Sequence, residues 1–242
     1  MQQRIAGVVY DNDGVLNRVE ELRNGFWPVA AERCGYPGHS REKFLCTLGR
    51  NSAAVLEEVR KVLCPDLSLE QGTAEAQRVR TLRNQLVDAH LEANGLEAKP
   101  GARESLELLA ELRIPVSMYS SSNGETVRRL LELTGLREFF PDSRLVTGDL
   151  IKNGKPAPDG FIRAAELIRV DPRECAGVED AQAGSDALRA ADMYSIRIPD
   201  LEGITAAGFR SVDVAFPTIV SMNRWLRTLP RDPSANALLL ER

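Results

Sequence analysis

Residues 5–16 read IAGVVYDNDGVL, an apolar run that ends in two aspartates, Asp11 and Asp13, with Gly14 directly after. Ile5, Val8, Val9 and Tyr10 are β-branched or aromatic, so the run reads as a strand. Three explanations compete for the carboxylates. Asn12, Asp13 and Gly14 are turn formers, and a strand followed by a plain loop needs nothing more. Asp11, Asp13, Gly14 and Glu20 also fall at the third, fifth, sixth and twelfth positions of an EF-hand loop. That alternative fails, because its first ligand is Val9 and a strand stands where the entering helix belongs. The third explanation is catalytic. In open α/β sheets ligands gather beyond the carboxyl ends of the strands, and Asp11 is placed there.

The rest of the chain favours such a sheet. From about residue 98, short apolar runs alternate with amphipathic helical patterns. Ala102, Leu106, Leu109 and Leu112 share a helical face, residues 115–119 (PVSMY) read as a strand, and Val127, Leu130 and Leu131 mark another helix. A strand near Leu145 and Val146, a helix over 158–168, a strand over 176–178 and a helix over 183–191 follow. Residues 195–198 and 212–216 read as late strands. Strands alternating with helices give parallel βαβ units, hence an α/β fold with a doubly wound, Rossmann-like parallel sheet.

Residues 17–95 differ, being charged and helical with no convincing strand. Val55, Val59, Val62 and Leu63 make one apolar stripe, and Val79, Leu82, Leu86 and Val87 another, both read as core. Lying between the first strand and the remainder of the sheet, this block reads as an inserted helical cap, with its exit at Asn94, Gly95 and AKPG (98–101). The expected division is a core of residues 1–16 and 96–230, a cap of 17–95 and a tail of 231–242. The tail, RDPSANALLLER, either frays or docks a short helix.

The chain has 242 residues, 43% of them hydrophobic, enough for one large core with a smaller accessory domain. A formal net charge of −4 argues against a nucleic-acid partner. Cys34, Cys46, Cys64 and Cys175 are scattered without zinc or redox spacing and read as reduced thiols. No segment approaches the roughly 20 apolar residues of a membrane span, and no leader-like start is present, so no membrane is expected and a cytoplasmic location is assigned by default. The composition leaves oligomeric state open.

More polar residues cluster at the predicted strand ends. Ser120, Ser121, Ser122 and Asn123 lie between a strand and a helix, where hydroxyls and amides suit an anion; helix capping accounts for one of them. Lys155 sits in GKPAPD (154–159), a loop stiffened by prolines. In ECAGVEDAQAG (174–184), Glu179 and Asp180 follow an apolar strand. Asp11, Asp13, Glu179 and Asp180 on one side, with serines and Lys155 on the other, suit Mg²⁺ and a phosphate respectively. Phosphoryl transfer requires that division, because a phosphate dianion repels a carboxylate nucleophile until cations neutralise it.

With these residues in place, the sequence resembles the haloacid dehalogenase superfamily of phosphohydrolases, in the branch with an inserted helical cap. The DxDGxL pattern matches residues 11–16, the strand ending in Ser or Thr matches Ser120, the family lysine matches Lys155, and the acidic pair matches Glu179 and Asp180. The likeness runs from about Arg4 to Leu226. It implies that Asp11 attacks phosphorus to form an aspartyl phosphate, and that Asp13 protonates the leaving alcohol and then activates water. Mg²⁺ would be held by Asp11, Asp180, the Asp13 carbonyl and Glu179, directly or through water. Ser120, Lys155 and backbone amides near Asn12 and Ser121 would hold the phosphoryl group.

Having an acid at Asp13, the chain is expected to cleave phosphate esters rather than carbon–halogen bonds. Arg50, in TLGRN (47–51), resembles the cap arginine that meets a second anionic group in sugar-phosphate members. Ser122 and Asn123 are placed to reach the leaving group. The chain departs from the family at Asn17, Arg18, Val19 and Glu20, at Ser185 after Gly184, and at Asp192, where a glycine is common; Asp tolerates a left-handed backbone. β-Phosphoglucomutase-like mutases share the core motifs but use a cap histidine at the position of Arg23, which favours a hydrolase here. A non-catalytic sugar-phosphate sensor is the third alternative, disfavoured because Asp11 and Asp13 are both kept. The expected substrate is a small phosphorylated metabolite, such as a sugar phosphate or phosphosugar acid.

Overall fold

The structure is a computed structural model that describes residues 4–47, 50, 52–200, 210–232 and 236–240. In chain order the elements are β1 (Arg4–Ile5), β2 (Gly7–Tyr10), α1 (Val19–Arg33), α2 (Ser52–Leu63), α3 (Leu69–Asn94), α4 (Ala102–Glu111), β3 (Val116–Ser120), α5 (Gly124–Leu133), β4 (Leu145–Thr147), α6 (Asp159–Leu167), β5 (Cys175–Glu179), α7 (Gln182–Ala190), β6 (Tyr194–Arg197), β7 (Val214–Ala215), α8 (Ile219–Thr228), β8 (Arg231–Asp232) and β9 (Ala237–Leu239).

Side chains alternate across a strand, so a sheet covered on both faces needs apolar residues at consecutive positions. In this chain they occupy both faces. Val8, Tyr10, Met118, Val178 and Ile196 face one layer, formed by α4, α5 and α8. Val9, Tyr119, Val146 and Cys175 face the other, where α6 contributes Phe161, Ala164 and Ala165 and α7 contributes Ala187 and Leu188. The six strands run in the order β4-β3-β2-β5-β6-β7, every pairing parallel. The chain builds outward from β2 through β3 to β4, then returns to the other side for β5, β6 and β7. That makes the carboxyl end of β2 a topological switch point, with the ends of β3 and β5 beside it.

Helices α1, α2 and α3 pack on one another with a core of their own, centred on Trp27, Phe44, Val59, Ala76 and Val79. The two apolar stripes expected from sequence lie in this core or in the adjoining cluster around Val87 and Leu91. The block joins the sheet through two adjacent passages of chain, held by an Asn17–Ala98 bridge and by the Lys99 amide donating to the Leu16 carbonyl at 2.8 Å.

Two details differ from the sequence reading. The opening run is two strands, because the chain bends at Ala6, whose amide donates to the Glu174 carbonyl at 2.7 Å. Among the described residues of the tail, 231–232 and 237–239 are strands and not the short helix that was one expectation. Its β8 and β9 make an antiparallel hairpin, and β9 pairs with β1, so Leu238 is buried against Ile5. Asp192 does take up the left-handed backbone, with φ at 57°. Ser185 is fully buried and returns its hydroxyl to the Ala181 carbonyl at 3.2 Å. The four cysteines are free, and no described helix is long and apolar enough to cross a membrane.

Candidate active site

Three neighbouring strand ends deliver the candidate residues. Asp11 follows β2, Ser120 ends β3, and Glu179 ends β5 with Asp180 directly after. Adjacent strands lie about 4.8 Å apart, which is why residues so distant in sequence meet. Asp11, Glu179 and Asp180 each present a carboxylate oxygen within 4.8 Å of the others. Lys155 reaches them from the loop before α6, its Nζ 2.5 Å from Asp11 Oδ1 and also paired with Glu179. The same ammonium lies 5.2 Å from the ring centres of both Tyr119 and Phe161, which wall it off from water.

Electrostatics follow from that burial. Burial works against the charged form of Lys155, but Asp11 and Glu179 outweigh it and hold the ammonium above its usual range. Burial pushes the Asp11 carboxyl well up, aided by Glu179 and Asp13 and opposed by Lys155. Asp180 is raised likewise, by burial and then by Glu179 and Asp11. Lys155 pairs directly with Asp11 and Glu179, and Arg197 adds positive charge toward Asp180 and Glu179, so two cations face three clustered carboxylates. A set of hard, crowded oxygens with too little positive charge fits a divalent cation. The close approach is built in: at Gly14, where φ is 87°, a Cβ would lie 2.2 Å from Asp180 Oδ2.

Asp13 is in a different environment. Its Oδ2 accepts from Arg23 Nη1 and from Ser122 Oγ, both at 2.7 Å, and its Oδ1 accepts from Asn12 Nδ2 at 2.7 Å. Burial opposes the charge, yet Arg23 and the two further donors hold this carboxyl below the usual range. Two aspartates two residues apart are thus biased in opposite directions by their surroundings, Asp11 toward the protonated form and Asp13 toward the carboxylate.

The remaining expected residues divide. Ser120 Oγ accepts from the Ser122 amide at 3.1 Å, fixing the turn in which Ser121 and Ser122 line the cleft. Asn12 is fully buried and braces the loop, accepting from Asn17 Nδ2 at 3.1 Å. Asn123 caps α5 through Thr126 N at 2.9 Å and also borders the cleft. Arg50 stands at the rim, exposed and 3.9 Å from Glu58; Gly49 lies outside the described residues.

The cleft measures about 600 Å³ and is bounded below by the strand ends and above by α1, α2 and α3. That size suits a small metabolite. Its upper wall carries more arginine than the sequence reading singled out, since Arg80 and Arg83 on α3 join Arg23 and Arg50. They were lost among the many charges of a long helix, although Arg80, Arg83 and Asn84 have the spacing of one helical face.

Residues 5–192 match the haloacid dehalogenase-like hydrolase family. The chain is 25% identical over 198 residues to the fructose-1-phosphate phosphatase YqaB of Escherichia coli, covering 82% of this chain and 98% of that one. It is 28% identical over 195 residues to the β-phosphoglucomutase of Bacillus subtilis, covering 79% and 82%. Among solved structures, a family IA, variant 3 hydrolase from Entamoeba histolytica superimposes with a TM-score of 0.75 at 22% identity, covering 90% of this chain and 95% of that one. With a six-stranded parallel sheet, its acidic strand ends and a family match over most of its length, the chain belongs to the haloacid dehalogenase-like hydrolases.

Proposed function

We propose that this protein is a Mg²⁺-dependent phosphatase that hydrolyses a small phosphorylated sugar through an aspartyl phosphate on Asp11. The observation that carries the proposal is Asp11 itself, at the switch point of the sheet, 2.5 Å from Lys155 and within 4.8 Å of Glu179 and Asp180. The curated relatives support the substrate class, one named a fructose-1-phosphate phosphatase and another a β-phosphoglucomutase.

In this reading Asp11 attacks phosphorus as a carboxylate, and Asp13, which takes up a proton against the pull of Arg23 as the phosphorylated substrate enters, gives that proton to the leaving alcohol. Asp13, now a carboxylate, takes a proton from the water that cleaves the acyl phosphate, returning Asp11 and releasing phosphate. Arg23, Ser122 and Asn12 fix the Asp13 carboxylate where the leaving oxygen and the water must pass in turn. Lys155 and Ser120 hold the phosphoryl oxygens. Asp11, Asp180, Glu179 and the Asp13 carbonyl would hold Mg²⁺, which when bound offsets charge on the phosphoryl group and on the crowded carboxylates. Helices α1–α3, within residues 17–95, act as a cap that excludes bulk water from the acyl phosphate, over a core of residues 1–16 and 96–230. With its four free thiols, the enzyme is assigned to the reducing cytoplasm as part of the same proposal.

A phosphomutase is the second reading, supported by the Bacillus subtilis relative. The 2.7 Å contact of Arg23 with Asp13 favours hydrolysis, because an arginine stays charged and cannot exchange protons with Asp13 as a histidine can. The test is phosphate release from a panel of sugar phosphates with and without Mg²⁺, for wild type and Asp11→Asn. Magnesium-dependent release that disappears in Asp11→Asn is expected; isomer formation without phosphate release would select the mutase, and no reaction with any ester would sink both.

A further inference from the structure

A second buried lysine takes no part in the mechanism above. Lys99 lies in the passage of chain that returns from the helical block to the sheet, and it is 9% exposed. Its ammonium donates to the Gly14 carbonyl and pairs with Asp200 Oδ1 at 2.6 Å. Asp200 follows β6, and its side chain is 3% exposed. Burial raises the Asp200 carboxyl, and Lys99 opposes that rise. After burial, Glu179 and Asp11, Asp200 is the next charge to raise Asp180, which places it beside the carboxylate cluster. The chain beyond β6 thus joins the ends of β2, β3 and β5 at the site, with Lys99 tying it to the turn after β2.

Desolvation offsets most of the attraction in a buried ion pair, so an apolar pair of the same volume would join the two loops as firmly. What an apolar pair lacks is a donor for the Gly14 carbonyl, which a buried peptide requires. Gly14 is buried and directly follows Asp13, in a turn whose other bonds run from the Gly14 amide to the Asn17 carbonyl at 3.1 Å and from the Leu16 amide to the Asn12 carbonyl at 3.0 Å. We propose that Lys99 is a positioning residue: clasped by Asp200, it holds the Gly14 carbonyl and so fixes the turn that presents Asp13 and its carbonyl to the cleft. The inference rests on the proposed phosphatase reading for the roles of Asp13 and Mg²⁺. Asp200 acts through Lys99, restraining an ammonium whose flexible four-carbon stem would otherwise leave it many positions. Arg23 grips the Asp13 carboxylate from α1. Lys99 grips the next peptide from the core side, so the turn keeps its shape when the Arg23 contact breaks.

The test separates positioning from stability. Lys99→Met keeps most of the stem's volume, removes the donor and leaves Asp200 buried and unpaired. Combining it with Asp200→Asn removes the stranded charge as well. Thermal melts should show a drop in Tm for Lys99→Met that the double variant largely recovers. The turn should not recover. In both variants, without metal, hydrogen exchange at the Gly14 and Leu16 amides should be on the order of 10-fold faster than in wild type, with the β5 amides unchanged. Calorimetry should show Mg²⁺ bound on the order of 10-fold more weakly by both. The kcat for phosphate release should fall by a similar factor with KM within about threefold, the pattern of an interaction made in the transition state. A double variant with wild-type exchange, Mg²⁺ affinity and kcat would reduce Lys99 and Asp200 to a structural pair and overturn the proposal, as would a Lys99→Met protein changed in Tm alone. Failure of wild type to release phosphate from any ester, with the exchange and Mg²⁺ effects intact, would instead remove the phosphatase reading and leave Lys99 as the residue that holds the turn.

Discussion

Replacing Lys155 with methionine removes the cation paired with two of the three clustered carboxylates and preserves most of the volume between Tyr119 and Phe161. In wild type, Lys155 is buried and pairs with both Asp11 and Glu179, and Asp180 lies in the same cluster. Breaking a buried ion pair by deleting one partner costs about 3–5 kcal/mol, because the other charge stays desolvated. For a chain of this size each kcal/mol lowers Tm by roughly 2–4 °C, so the metal-free variant should melt roughly 6–20 °C below wild type at pH 7.5. The pH dependence has a definite sign. Asp11 and Asp180 are raised above their ordinary values in the folded state, so their protonated forms favour folding. That contribution is present below the unfolded carboxylate range, near pH 4, and is lost as pH rises through the raised values. The deficit of Lys155→Met should therefore shrink at acid pH and widen toward neutrality, and adding Glu179→Gln should recover part of it. Thermal melts by circular dichroism from pH 4.5 to 8 measure this directly. An equal deficit at every pH, or no deficit at all, would refute the reasoning that crowded carboxylates depend on this lysine.

The region around Glu179 gives a second expectation. A Cβ at Gly184 would lie 1.9 Å from Glu179 Cδ, whose carboxylate also accepts from the Asp180 and Ala181 amides at 2.9 Å, so Gly184→Ala must displace an anchored side chain. Calorimetric titration with Mg²⁺ should show at least a tenfold weaker affinity, the usual scale for disturbing a metal site's supporting shell, and unchanged affinity would count against Glu179 as part of that site. Thiol chemistry gives a third. Burial pushes the Cys175 thiol up to about 12, and Cys34 and Cys64 are buried, whereas Cys46 is half-exposed. A disulfide reagent at pH 8 should label Cys46 first in the native protein and reach all four only on unfolding, with rapid native labelling of Cys175 as the contrary result.

Three of the candidate residues could be read from sequence because each stands at the end of a short apolar run. Asp11, Ser120 and Glu179 are marked by the change from buried strand to polar loop, and parallel topology then brings such ends together without any long-range information. The two faces of the sheet were legible for the same reason, as Val8–Val9–Tyr10 and Met118–Tyr119 are apolar at consecutive positions. The tail was not. ALLLE carries helical propensity, and its strand depends on pairing with Arg4–Ile5 more than two hundred residues away, which no local pattern encodes. The arginine wall was obscured differently. Arg23 was noticed for its spacing from Asp11, but its bridge to Asp13 and Glu20 depends on how α1 docks over the β2 loop. On α3, Arg78, Arg80 and Arg83 look alike in sequence, yet Arg78 pairs with Glu75 in solvent, while Arg83 is buried against Trp27 and faces the cleft. Orientation around the helix separates them, and it is set by the packing of α3 against α1 and α2.

The central claim is that Asp11 carries the phosphoryl group during turnover. The direct measurement is rapid acid quenching of wild type during steady-state hydrolysis with Mg²⁺, followed by mass spectrometry of the intact chain and of the peptide spanning residues 5–18. The account predicts one added phosphoryl group per chain, located on Asp11, labile to hydroxylamine and missing when Asp11 is asparagine. Phosphate release by wild type with no protein-bound phosphoryl group, or with the group on another residue, would contradict it.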